Sequence, residues 1–173
     1  MITIKSKEEI ELMRKAGYLV SLTHQYLKPF IKSGITTKEL DTLAERFIKE
    51  HDGIPTCKGY EGYPATLCVS VNDEVVHGIP GKRKLKNGDI VSIDMVIGYH
   101  GYQGDAAWTY AVGDISEDKK YLMEHTEKAL YEGIKQVKPG NHIGDISHAI
   151  EVYATKYNLG VVKELVGHGI GTE

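Results

Sequence analysis

Ile10, Met13, Ala16, Gly17 and Val20 recur at spacings of three and four residues, with Lys7, Glu8, Glu9, Glu11, Arg14 and Lys15 filling the positions between them. This period gathers the apolar groups into one stripe of a helix. Ser6 followed by Glu9 supplies a capping box and Pro29 a stop, so the pattern predicts a helix over 7–27. Thr36 with Glu39 repeats the cap, and Leu40, Leu43, Ala44, Phe47 and Ile48 mark a second helix that ends near Gly53. The pattern is then lost from Ile54 to Thr66, where Gly, Pro and Tyr predict a loop.

Shorter apolar runs follow. Leu67 to Val71 and Val75 to Ile79 predict a hairpin turning at Asn72, Asp73 and Glu74, with His77 on the returning arm. Ser116 opens a third helix, whose apolar positions from Leu122 to Val137 carry it to Pro139-Gly140. A fourth runs from Ile143 through Ile150 to Tyr157, and Val161 to Val166 predicts a strand leading into Gly167-His168-Gly169-Ile170-Gly171. The two halves share a pattern. Ile31-Lys32-Ser33-Gly34 matches Val137-Lys138-Pro139-Gly140, and Leu40, Leu43, Ala44 and Phe47 match Ile146, Ala149, Ile150 and Tyr153, although any two amphipathic helix pairs share some of this.

The central stretch, Gly88 to Val112, predicts two strands joined by a tight turn bracketed by Gly98 and Gly101. A turn centred between Tyr99 and His100 puts Asp94 directly opposite Asp105, with Cβ atoms about 4.5–5.5 Å apart. Like charges so placed repel, and a shared proton, a basic side chain or a cation must offset them. We favour a cation. Asp94 interrupts the apolar run Ile90, Val91, Ile93, Met95, Val96 and Ile97, where a lone charge is costly, whereas Asp105 after Gly104 also fits an ordinary turn residue.

Composition narrows the class. The 173 residues are 41% hydrophobic and 26% charged, enough for one sizeable core, and the net charge of −3 gives no support to DNA binding. Lys82, Arg83, Lys84 and Lys86 form the one basic cluster and read as a solvated turn. No run is long enough to span a membrane, and the charged opening excludes an apolar signal segment, so the expectation is a cytoplasmic protein. Cys57 and Cys68 are too few for a disulfide scaffold and are expected as reduced thiols. His168 between two glycines adds a nitrogen donor to Asp94 and Asp105, a mixed set that suits Mn, Fe, Co or Zn better than Ca.

His77-Gly78-Ile79-Pro80, the Asp94 and Asp105 hairpin, and Val166-Gly167-His168-Gly169-Ile170-Gly171 occur in an order and spacing that resembles the type I methionine aminopeptidases. The resemblance covers essentially the whole chain, including the loop Cys57-Lys58-Gly59-Tyr60-Glu61-Gly62-Tyr63-Pro64. It implies an α/β (α+β) pita-bread fold, a pseudo-twofold repeat of helix pair plus antiparallel strands, in a single domain over 1–173. It implies two divalent metal ions (Co, Mn, Fe or Zn), with Asp94, Asp105 and His168 among their ligands, and a monovalent cation near Asn72. His77 becomes the catalytic histidine that hydrogen-bonds the substrate peptide. Cys57, Tyr60, Tyr63 and Cys68 become the pocket for the methionine side chain. The implied substrates are N-terminal methionyl peptides and nascent chains, with the ribosome as a partner and the protein a monomer.

The family also carries a second histidine and two glutamates beyond the Gly-His-Gly-Ile-Gly stretch, and these have no counterpart here; Glu173 is too close to His168 to replace either glutamate. The resemblance therefore implies a second repeat cut short and a chain that, as it stands, does not turn over substrate. Two further readings remain: an Xaa-Pro dipeptidase of the same fold, which usually needs a large N-terminal domain, and a non-catalytic binding module.

Overall fold

The computed structural model describes residues 3–173. Its elements run α1 (Lys7–Leu27), α2 (Thr37–Glu50), β1 (Ile54–Pro55), β2 (Cys68–Val71), β3 (Ile90–Tyr99), β4 (Tyr102–Ala111), α3 (Glu117–Ile134) and α4 (Ile143–Lys156). Both capping boxes form as the sequence predicts. Ser6 Oγ accepts the Glu9 N–H while the Glu9 carboxylate accepts the Ser6 N–H, and Thr36 with Glu39 does the same for α2.

The described residues gather into two compact units, one running to Ile115 and including Ile170–Glu173, the other Ser116–Gly169. In the first, β4 pairs with β3 along its whole length, while β1 and β2 lie in line along the opposite edge of β3, all antiparallel. Val91, Ile93, Met95 and Ile97 point to one face of the sheet and are fully buried with Leu19, Val20, Leu27, Leu40 and Ile48 from α1 and α2. Ser92, Asp94 and Val96 alternate to the other face and are half-buried. The strand thus separates a core face from a polar face, which bears Asp94.

Gly104 lets α1 lie close on the sheet, because a Cβ there would meet the backbone of Ala16 and Gly17 at 2.5 Å. Beside this contact His24 of α1 is largely enclosed, its ring nitrogens facing the Tyr110 hydroxyl at 3.0 Å and the Ala106 carbonyl at 3.3 Å. Burial holds its pKa below the ordinary imidazole value.

In the second unit α3 and α4 pack as a pair around His125, whose ring lies between Tyr121 and Tyr157 with centroids 4.2 Å from each and whose Nδ1 is 3.0 Å from the Tyr153 hydroxyl. Ser116 caps α3 by accepting the Lys119 N–H. No helix of the described residues is long and apolar enough to cross a membrane.

Five sequence expectations are corrected. The β3–β4 turn is centred one residue later than expected: His100 at φ 47 and Gly101 at φ 85 form the two-residue loop with both residues left-handed, the hand that suits twisted strands. Gly98 belongs to the strand, where it allows close approach of Thr56. The Val75–Ile79 arm is not a strand. His77 turns the backbone to φ 58, and the Gly78 N–H goes to the Ser70 hydroxyl rather than to a ladder carbonyl. Val161–Val166 is irregular and exposed, since none of the described residues offers it a pairing strand. Finally, α3 ends at Ile134 and not at Pro139, with the Gln136 and Val137 N–H groups bonding tight-turn carbonyls. The short strand β1 falls inside the stretch expected to be only loop, held by the pairing of Ile54 with Gly98 and Pro55 with Ile97.

Candidate metal centre

The shifted turn changes how the two carboxylates meet. Asp94 is opposite Ala107, and Asp105 is opposite Val96, so the expected direct pair is instead a diagonal pair. The face is nevertheless shared, because the register moved by two residues in the pairing and a strand alternates every residue. Diagonal neighbours stand about 7–8 Å apart at Cα. That is wider than a direct pair, which eases repulsion and opens a gap between two anionic groups. Across the other edge Cys68 of β2 is directly opposite Asp94. Below them on this face lie Ser92 and Thr109, joined by a 2.8 Å hydroxyl contact, and above them Gln103 accepts the Thr56 hydroxyl at 2.9 Å.

The electrostatics follow from this placement. Burial pushes the Cys57 thiol up to about 11, and the Cys68, Asp94 and Asp105 charges add in the same direction. Burial likewise raises Cys68, with Asp94 and Asp105 contributing. Both sulfurs are therefore neutral thiols near pH 7, which gives an apolar, polarizable lining and excludes either as a thiolate nucleophile. Tyr63 is also raised, chiefly by burial. Its hydroxyl donates toward the carbonyls of Leu67 at 3.0 Å and Gly78 at 3.2 Å, so it braces the backbone rather than simply lining a cavity.

Of the expected site residues, the sheet brings together Asp94, Asp105, Cys57 and Cys68, with Tyr63 against Cys68. Tyr60 stands 67% exposed on a single 3-10 turn, and His77 is exposed at the end of the Gly78 segment. His168 lies in the second unit, where its Nδ1 is 3.0 Å from the Gly169 carbonyl. A carbonyl accepts, so Nδ1 is the donor of this contact. Among the described residues no three His, Cys, Asp or Glu side chains close into a single ligating group. The chemistry of the sheet residues fits a divalent cation all the same: two hard carboxylates share one face, and their field raises the neighbouring thiols.

Sequence reasoning missed Asp41. It is completely buried on α2 and accepts the Thr66 and Leu67 N–H groups at 2.8 and 3.0 Å. The available signal was its position next to Leu40 at the margin of the apolar stripe, where a lone carboxylate needs partners.

Residues 11–173 match metallopeptidase family M24, and the chain belongs to that family. Within it the chain is 54% identical to methionine aminopeptidase 1 of Bacillus subtilis over 173 residues, all of this chain and 70% of that protein. It is 49% identical to the methionine aminopeptidase of Clostridium acetobutylicum, again over 70% of the relative. The crystal structure of methionine aminopeptidase from Rickettsia prowazekii superposes with a TM-score of 0.98 at 41% identity, covering 100% of this chain and 70% of the other. Prolidase from Pyrococcus furiosus, at 23% identity and a TM-score of 0.83, shares the fold. The α/β pita-bread fold expected from the sequence is thereby borne out, and membership of the family carries the use of divalent metal.

Proposed function

We infer that the chain is a metal-dependent aminopeptidase that removes the N-terminal methionine of peptides and nascent proteins. The observation that carries this is the 54% identity to a methionine aminopeptidase across the entire chain. The retained chemistry supports it. Asp94, Asp105, His168 and His77 are the residues to which the sequence resemblance assigns the chemistry, and a binding module released from catalysis has no need of them.

Asp94 and Asp105 would hold the cations, with His168 as a further ligand. Mn, Fe, Co and Zn suit such nitrogen and oxygen donors. Bound there, divalent cations supply Lewis acidity for peptide hydrolysis at neutral pH. The chain's own residues do the rest. Cys57, Cys68, Tyr60 and Tyr63 present thiols and rings to a thioether side chain. His77, exposed and donating through an imidazole N–H, stabilises the negative charge that develops on the scissile carbonyl oxygen. A monovalent cation near Asn72 belongs to the same proposal; because the Asn72 side chain bonds Asp89 and the Ile90 N–H, backbone carbonyls would be its donors. The reading also has the protein working as a cytoplasmic monomer on chains leaving the ribosome.

The test is release of free methionine from Met-Ala-Ser after chelation and metal return. In a protein extended over the full length of these relatives, activity is expected with Co or Mn, none after chelation, and none on N-acetyl-Met-Ala-Ser; residues 1–173 by themselves are expected to release no methionine. Equal cleavage of the acetylated peptide, or activity that survives chelation, contradicts the function.

A further inference from the structure

We propose that Asp41 is a positioning residue for the methionine pocket, an assignment that rests on the functional reading above. Its side chain has no exposed surface, although it sits on an amphipathic helix whose acids Glu39 and Glu50 are exposed and whose Glu45 is partly so. A buried carboxylate is costly unless its oxygens are fully engaged, and an apolar residue at such a place is often as stable. Here one oxygen accepts two consecutive backbone N–H groups, Thr66 at 2.8 Å and Leu67 at 3.0 Å, and the other takes the Lys38 ammonium at 2.8 Å. The Lys38 side chain is itself 53% exposed, so the ion pair is solvated at one end and held at the other.

What these amides hold explains the placement. Thr66 and Leu67 immediately precede β2, whose first residue is Cys68 opposite Asp94. The Leu67 carbonyl receives the Tyr63 hydroxyl, which also faces the Gly78 carbonyl. That Gly78 carbonyl accepts the Val69 N–H at 2.7 Å, and the Gly78 N–H donates to Ser70 at 3.1 Å, next to His77. No side chain longer than glycine fits at 78, since a Cβ would lie 2.3 Å from the Val69 carbonyl oxygen. Asp41 thus anchors one end of a continuous train that fixes Cys68, Tyr63 and the segment bearing His77. It touches no reacting atom; it sets where the pocket wall stands.

The test compares Asp41→Ala, Asp41→Asn and Lys38→Ala in the metal-loaded protein. Three quantities are read: KM and kcat on Met-Ala-Ser, iodoacetamide labelling of Cys68, and amide exchange at Thr66 and Leu67 against Val91 and Ile93 in β3. Asp41→Ala is expected to raise KM, Cys68 labelling and exchange at the two amides about tenfold each, with kcat and β3 exchange changed less than about threefold, as the loss of buried acceptors from a local clamp requires. Asp41→Asn, which keeps an acceptor for the amides, is expected within about threefold of the parent, as is Lys38→Ala, which opens the second oxygen to water and leaves the first on the amides. If Asp41→Ala does not fold, Asp41→Leu, an apolar side chain of similar size without an acceptor, decides, a rise confined to Thr66 and Leu67 exchange supporting the proposal. Unchanged KM and Cys68 labelling, or loss of protection spread equally over β3, overturns it. If the protein extended over its relatives' length releases no methionine, the functional reading fails separately, and Cys68 labelling with Thr66 and Leu67 exchange still decides the positioning role.

Discussion

His77 adopts a backbone with φ 58 that an L-residue enters at a cost of about 1–2 kcal/mol. The bonds that Gly78 makes to Val69 and Ser70 hold it there. The strain turns an otherwise strand-like Val-Val-His run outward and leaves the imidazole exposed, which suits a group that must reach a substrate. Because the side chain supports nothing in the core, its removal separates catalysis from folding. His77→Ala is expected to lower kcat about 10²–10³-fold, in the range of a lost oxyanion donor, with the melting temperature unchanged. A change in melting temperature without a change in kcat would make His77 a structural residue. The sequence alone could not place this residue: alternation of apolar residues points to a strand, while the left-handed turn depends on a serine hydroxyl seven residues away on a neighbouring strand.

At the scale of elements, what could be read from the chain was what local chemistry decides. α1 and α2 have their caps written in Ser6, Glu9, Thr36 and Glu39, and both begin where those residues say. The β3–β4 register was not legible, because two glycines flank the turn and only the pairing of Gly98 with Gln103 shows which one belongs to the strand. The face shared by Asp94 and Asp105 was legible nonetheless, since alternation preserves it under that shift. Val161–Val166 has the composition of a strand and no partner among the described residues, and composition cannot supply one. The approach of α1 to β4 depends on Gly104 alone. Gly104→Ala sets a methyl against the Ala16 and Gly17 backbone, and it is expected to cost about 1–3 kcal/mol in urea unfolding, with the site-face residues chemically intact. A Gly104→Ala variant as stable as the parent would mean that α1 can lift from the sheet without loss.

Across the whole molecule, fold and family agree with what the resemblance implied, and the chain spans 70% of the length of its Bacillus and Clostridium relatives. The pattern shared between its halves appears as two helix pairs, α1 with α2 and α3 with α4, each within its own compact unit. The account turns on the carboxylates of β3 and β4 being a cation site. Titration of the metal-free protein with Mn(II), followed by calorimetry, tests this most directly. Saturable binding is expected in the parent chain, weakened at least about tenfold by Asp94→Asn and by Asp105→Asn, since each removes a charged donor. Binding that persists unchanged in both variants, or none in the parent protein, would contradict it.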